Sequence, residues 1–420
     1  MEFKKGFYGA LILLGLSTSS FSQSVLSLKQ AVQTAKTNNL FLKTAHYNIG
    51  IAESDIISAK LRPNPALNNQ SLILTNSNFY PKGTEVTSPR NRQVWWQLTK
   101  PIRLPNQRKY RIELAQQSVL FEQTNYAELQ RNLAWEVSNQ WLSTWVLKTK
   151  LDLYIEAQRN IDSLVKINEL RLKNLVITQT DLVRTRLIAE QYNLQIRNER
   201  QSYFNELKRL KYLIGRPDSI SLDSNDLAEP LPIQDLSLDS LMNMGLSLRT
   251  DVRRAKSAID VSETNIRLQK AQAYPTPELG MIWNPQNTIP YLGFFGTVQV
   301  PLFSRNQGEI VKSQLVRKQA EQGLETLQQR IITEVLTSYQ SYHTQRENLA
   351  KYQSILTQSE AVLNSVRYAY LKGGTTIVDF LEAQRTWFDT RQIYYDALIS
   401  YRRSYIELLF STGLINQLYE

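Results

Sequence analysis

Two carboxylates three residues apart, Asp379 and Glu382, follow the short turn sequence LKGGTT at Leu371–Thr376. At helical spacing they share one face. Acids so placed either gather cations or serve the helix that begins there. The second role needs nothing else, because first-turn acids favour the helix dipole and Thr376 with Asp379 makes a capping-box pair. Gly373 and Gly374 lack the G-x-x-x-x-G-K spacing of a phosphate loop and read as a tight helix-to-helix turn. The two histidines, His46 and His343, fall in separate helices. Met242 and Met244, two apart on a helix, point away from each other and cannot share a soft cation. No metal site, no cofactor and no nucleophile–base constellation are therefore assigned, and the chain is not expected to be an enzyme.

The turn has a looser echo, LKNLVITQTDLVRTR at Leu172–Arg186, which carries Asp181 but has Arg184 three residues on. Other segments recur as well. LSLKQAV from Leu26 is answered by LSLDSLM from Leu236, and Pro63 and Pro65 by Pro275 and Pro277. KPIRLPNQ from Lys100 is answered by VPLFSRNQ from Val300, and Leu213–Gly215 by Ser411–Gly413. The chain thus reads as two copies of one plan, residues 23–215 and 236–420, joined by a polar, proline-bearing linker at 216–235.

Each copy needs the same elements in the same order. A helix of about 37 residues (Val25–Leu61; Leu236–Ala273) stops at Pro-x-Pro, which forces extended backbone. Short strands follow. QVWWQLT sets Val94, Trp96 and Leu98 opposite Gln93, Gln97 and Thr99, and GFFGTVQV sets Phe294, Val298 and Val300 opposite Thr297 and Gln299. That period-2 pattern suits a barrel wall between lipid and water, with Trp95 and Phe295 as exceptions. Next come about 70 residues without a breaker, a helix of about 105 Å. Its distal half keeps apolar residues at 3/4 spacing: Leu147, Leu151, Tyr154, Ile161, Val165 and Leu172, then Leu349, Tyr352, Leu356, Leu363, Val366 and Tyr370. Gln158, Asn168 and Ser359 stand as gaps. The pattern implies coiled-coil packing. After the turns, Lys173–Thr178 and Lys372–Thr376, helices of about 35 residues return (Thr180–Leu213; Thr376–Phe410). Stacked end to end with the opening helices, they match the long helix beside them.

The N-terminus, MEFKKGFYGALILLGLSTSSFSQS, has a basic start, a short apolar core, and Ser20 and Ser22 at −3 and −1 of a cut before Gln23. It reads as a signal peptide over residues 1–22. No later run of eighteen apolar residues offers a membrane helix. An exported chain with 49 basic and 38 acidic residues is not expected to meet nucleic acid, despite its net charge of +11. Four strands cannot close a membrane barrel, whereas three chains supplying twelve strands can.

The order and spacing of these motifs resemble the TolC-like outer-membrane efflux family across the mature chain. YLKGGTTIVDFLEAQ and VPLFSRNQGEI carry the likeness most closely, RLKNLVITQTDLV and KPIRLPNQ more loosely. The resemblance implies a mixed α/β membrane protein: a homotrimeric, 12-stranded outer-membrane β-barrel, four strands per chain, continued into the periplasm by a long α-helical coiled-coil barrel. It implies the exit duct of a tripartite efflux or type I secretion system, for metal cations or small toxic compounds, and leans towards the heavy-metal branch. Its partners would be a periplasmic adaptor (membrane fusion) protein, an inner-membrane pump with the RND type as one candidate, and outer-membrane lipid. It places the periplasmic constriction at Asp379 and Glu382, a tip latch at Asp181, Tyr370 and Thr375, and the tip turns at Lys173, Asn174, Gly373 and Gly374. Thr375 stands where the best-known member has an arginine, so the latch is expected to be built differently. A secreted coiled-coil protein with no pore explains the helices but not the paired strands.

Overall fold

The computed structural model describes residues 24–216, 220–222, 236–286 and 289–418. The signal-like segment and most of the inter-copy linker lie outside the described residues. The first copy runs β1 (Ser24–Val25), α1 (Leu28–Asn38), α2 (Leu40–Lys60), β2 (Ala66–Ile73), β3 (Arg92–Pro101), α3 (Pro105–Lys173) and α4 (Gln179–Ile214). After β4 (Ile220–Ser221) the second copy runs α5 (Leu238–Leu248), α6 (Thr250–Gln272), β5 (Glu278–Gln286), β6 (Ile289–Thr297), α7 (Gln307–Lys372) and α8 (Ile377–Thr412). The uninterrupted runs become helices of 69 and 66 residues, α3 starting with Pro105 in its first turn, where a missing N–H costs nothing.

One expectation fails in the same way in both copies. Each opening helix is two helices, broken at Asn39 and at Arg249, which adopt extended backbone. The breaks are tertiary. Asn39 caps α2 by accepting from the Leu42 N–H, and its Nδ2 donates to the Leu213 carbonyl 2.7 Å away. Arg249 donates to the Ser411 carbonyl at 3.2 Å, the corresponding place in the second copy. The returning helices α4 and α8 end against these kinks through Gly215 and Gly413, both left-handed. A Cβ on Gly215 would lie 2.4 Å from the Asn38 carbonyl oxygen, and one on Gly413 3.1 Å from the Arg249 nitrogen. Only glycine tolerates both the conformation and the approach. It is therefore α2 and α6, not whole 37-residue helices, that continue the line of α4 and α8.

The second kink is also charged. Arg249 forks onto Asp251 at 3.1 and 2.7 Å and reaches Glu334 at 2.6 Å. From α3, Arg131 forks onto Glu128 at 2.9 Å and donates to the Phe410 carbonyl. Arg131, Glu128, Arg249 and Asp251 are all buried. Burial works to raise the Asp251 carboxyl, but the hydrogen bonds and charge of Arg249, with Arg131 behind, hold it below the usual carboxylate range.

Around the kinks lies the main core, with Trp141, Leu142 and Trp145 of α3, Leu210 and Ile214 of α4, Leu241, Ile331 and Ile406 all closed to solvent. Each such side chain contributes roughly 1.5–3 kcal/mol on burial. A smaller cluster lies nearer the turns: Ile161, Leu164, Tyr370, Phe380 and Leu381.

At the other end, β2, β3, β5 and β6 form one antiparallel sheet in that order, the copies meeting across β3 and β5 (Trp96 opposite Trp283, Leu98 opposite Met281). Strand β6 ends at Thr297, so Val298–Val300 fall beyond it, because the strand is built from the preceding residues Ile289–Leu292 instead. Phe295 breaks the alternation for a local reason: it faces Gly280 across the ladder and covers the space that residue leaves. Among the described residues both outer strands pair on one side only. Trp96, Leu98, Met281, Trp283, Leu292 and Phe294 remain exposed.

Candidate functional site

The two turns are the same device built from different residues. In the second, Gly373 is left-handed and the Gly374 N–H returns to the Ala369 carbonyl at 2.8 Å. In the first, Lys173 ends α3, Asn174 follows as its cap, and Leu175 takes the left-handed place, with the Val176 N–H returning to the Arg171 carbonyl at 2.9 Å. A leucine there carries about 1–2 kcal/mol of backbone strain that glycine avoids. Leu175 is also 91% exposed. A strained, solvent-facing apolar side chain breaks two local rules at once.

A threonine then opens each returning helix. Thr178 and Asp181 form a reciprocal capping box, and so do Thr376 and Asp379. One Asp379 oxygen accepts from the Thr376 hydroxyl at 2.6 Å, the Thr375 hydroxyl at 2.7 Å and the Thr376 N–H at 3.1 Å. Led by the Thr376 hydroxyl, these bonds hold the Asp379 carboxyl below its ordinary range. Helix capping is therefore a role Asp379 fills within one chain. Its other oxygen is not engaged by those donors. Asp379 and Glu382 together line a shallow groove of about 350 Å³ between α7 and α8, with Ser359, Val362, Val366 and Thr386.

Tyr370 is only 3% exposed, and its hydroxyl donates to Asn168 Oδ1 at 2.7 Å. Asn168 Nδ2 donates on to the Thr185 hydroxyl at 3.0 Å, and Thr185 to the Asp181 carbonyl at 2.9 Å. Tyr370 thus reaches Asp181 through two side chains and a main-chain oxygen, while the Asp181 carboxylate is held by Thr178 at 2.7 Å. The Tyr370 ring stacks on Phe380 at 5.4 Å, and the Arg171 guanidinium lies 4.4 Å over it while donating to the Tyr370 and Leu371 carbonyls. Near the turns the polar contact between the two hairpins is therefore made by Asn168 and Arg171 on one side and Tyr370 on the other, with Thr185 supporting Asn168. Sequence reading had Asn168 only as a gap in the apolar stripe. The gap itself, a polar residue at a stripe position, was the available signal.

Further along, Tyr154, Tyr192 and Phe388 gather with ring centroids 4.9–6.2 Å apart in a pocket of about 640 Å³, which Arg184, Glu382, Arg385 and Asp389 also line. Burial, then the charge of Asp389, pushes the Tyr192 phenol up to about 12, so it stays neutral. His46 packs edge-on against Tyr126 and His343 against Tyr339, far apart in the chain, and Met242 and Met244 pack on the main core. Among the described residues no helix is long and apolar enough to cross a membrane.

The sequence model of the family described as "Outer membrane efflux protein" matches residues 241–414, the second copy. The cobalt-zinc-cadmium resistance protein CzcC of Cupriavidus metallidurans is 22% identical over 378 residues, 89% of this chain and 86% of the relative. The outer membrane protein TolC of Salmonella enteritidis is 22% identical over 97% of this chain and 86% of its own length. A solved structure of CusC, described in terms of folding and transmembrane channel formation, superposes with a TM-score of 0.74 at 19% identity, covering 94% of this chain and 95% of that one. The second copy thus matches the outer-membrane efflux family model, and nearly the whole chain shares the fold of CusC.

Proposed function

We propose that the chain is one third of an outer-membrane exit duct for a tripartite efflux system, taking its cargo from an inner-membrane pump through a periplasmic adaptor. The observation that carries this reading is the four-stranded sheet. Its edges β2 and β6 are unpaired and its apolar side chains exposed. In a lipid bilayer an open edge is untenable, so neighbouring copies must supply the missing partners. Three chains give twelve strands, and their paired hairpins continue as a helical barrel. The relatives CzcC and CusC, the latter named a cation efflux system protein, favour metal cations as cargo over other small toxic compounds.

In such a trimer Asp379 and Glu382 each repeat three times near the narrow end, giving up to six carboxylates. The capping bonds on Asp379 keep it ionised, and the ring draws cations and repels anions. The first copy, with Arg184 where the second has Glu382, supports the mouth from outside. The exposed Leu175 and Val176 offer an apolar seat for the adaptor at the tip. Planar-bilayer recordings of the D379A/E382A double variant test the ring. Block by trivalent cations should vanish and cation preference fall. Unchanged block would leave the two acids as helix caps alone.

A further inference from the structure

The four places where strand passes into helix lie at one level. Arg103 Nη1 donates to the Leu61 carbonyl and Arg108 Nη2 to the Lys60 carbonyl, tying the start of α3 to the end of α2. Gln107 Nε2 donates to the Ala271 and Tyr274 carbonyls, and Asn306 Nδ2 to the Gln269 carbonyl, adding the end of α6 and the start of α7. The charge at this level is lopsided. Residues 59–66, 98–113, 266–278 and 298–309 hold ten basic side chains against three acids, Glu113, Glu278 and Glu309. That excess of seven accounts for most of the chain's net +11, although these segments are about an eighth of its length. The basic residues are not simply paired elsewhere. Lys100, Lys109, Arg111 and Lys270 are exposed and have no ion-pair partner among the described residues. Arg103 is pushed below the usual guanidinium range by burial and then by the charge of Arg111.

Apolar side chains are exposed among them: Phe303 at 91%, Leu302 at 67% and Leu61 at 62%. Between α3 and α6 opens a pocket of about 540 Å³ with Tyr110 and Tyr274 on its walls and Arg267 and Lys270 at its rim. Arg267 is occupied by Glu113 and Glu263, which leaves Lys270 as the uncompensated cation there. Gln107 forms a rigid floor, its amide satisfied on both sides. Unpaired cations interleaved with exposed apolar and aromatic side chains, just below a lipid-facing sheet, match the headgroup layer of a membrane carrying negative charge. An acidic protein surface would satisfy the cations but would not call for bare phenylalanine and leucine at the same level as the end of the sheet.

We infer that this collar binds anionic phospholipid of the periplasmic leaflet, with phosphate at Lys100, Lys109, Arg111 and Lys270 and acyl chains along Leu302 and Phe303. The inference rests on the outer-membrane placement proposed above for its setting, but its test does not. Purified trimeric protein in detergent is titrated with dioleoylphosphatidylglycerol and, separately, dioleoylphosphatidylethanolamine, and bound lipid is counted by native mass spectrometry. The parent should retain phosphatidylglycerol in preference, and the preference should weaken with salt. Each basic residue near an anionic surface is worth roughly a factor of five, so a variant with Lys100, Lys109, Arg111 and Lys270 all changed to Gln should bind phosphatidylglycerol about 600-fold more weakly. A control changing Lys43, Lys166, Lys208 and Lys351 to Gln should bind like the parent. Equal retention of the two lipids by the parent overturns the inference, whether or not the variant folds. So does loss of an acidic protein partner in the collar variant while its lipid binding stays intact. Fractionation that found the chain outside the outer membrane would instead sink the functional reading and leave the lipid titration standing.

Discussion

Tyr370 and Asn168 illustrate how a single buried pair can set the behaviour of a distant end. Replacing Tyr370 with Phe keeps the stack on Phe380 but strands the Asn168 amide oxygen without its donor, at zero exposure. An orphaned buried acceptor costs about 1–3 kcal/mol. The expected outcome is local: amide hydrogen exchange around residues 164–172 and 366–374 should quicken by roughly tenfold or more, while the main core keeps its protection. Uniform loss of protection throughout would show that the pair supports the whole bundle. Asp379 carries a pH dependence of definite sign. Its folded carboxyl lies below its unfolded value, so the capping contribution is complete above the ordinary carboxylate range and is lost as pH falls through the lowered folded value. Protection at residues 377–381, taken relative to the intrinsic exchange rate at each pH, should therefore hold at neutral pH and fall only below about pH 4. Both residues were picked out from sequence, Asp379 by its spacing and Tyr370 by resemblance. Asn168 showed only as a polar gap in the apolar stripe, and Arg171 and Thr185 not at all, because neither helix's periodicity names the partner across the hairpins.

At the scale of elements, proline placement and the 3/4 spacing located the long helices, the sheet and both turns from sequence. The kinks at Asn39 and Arg249 escaped for a physical reason: neither residue is a breaker in isolation. Each is turned out of the helix by a carbonyl that belongs to the far end of its own copy. The left-handed glycines predict a ranking. Gly373→Ala in the second turn meets nothing within 4 Å and should cost only about 1–2 kcal/mol of left-handed backbone strain, whereas Gly215→Ala at the first kink adds to that strain a methyl driven into the Asn38 carbonyl. Thermal denaturation should show Gly215→Ala as much the more damaging of the two. Removing Arg249 should be severe as well. Arg249→Ala leaves Asp251 buried beside fewer charges, a loss of about 3–5 kcal/mol. A mild effect there would mean that Arg131 alone neutralises the site.

At the scale of the whole molecule, a single chain leaves β2 and β6 paired on one side only among the described residues, and copies of the chain would complete them. Nothing in one protomer brings Asp379 or Glu382 to an axis; that arrangement is a property of copies. Native mass spectrometry in detergent should show three chains, and a stable membrane-inserted monomer would refute the closure argument for β2 and β6. The small parallel pair of β1 with β4 has a consequence in time as well as space. Ser24 pairs with Ile220, the Leu26 N–H reaches the Ser221 carbonyl, and the Leu26 carbonyl receives the indole N–H of the buried Trp141. The first residues of the described chain find their partners only after nearly two hundred others have been synthesised. Contacts so far apart in sequence close late, because the entropy of the intervening chain opposes them until the rest has condensed. The long hairpin of the first copy can form while its own end of the core still waits for Ile220 and Leu222 to arrive. During that interval the Trp141 face is open, and a chaperone would find the nascent chain there. Pulse-labelled chains truncated before Ile220 should crosslink through a probe at residue 141, and chains extended past Leu222 should not.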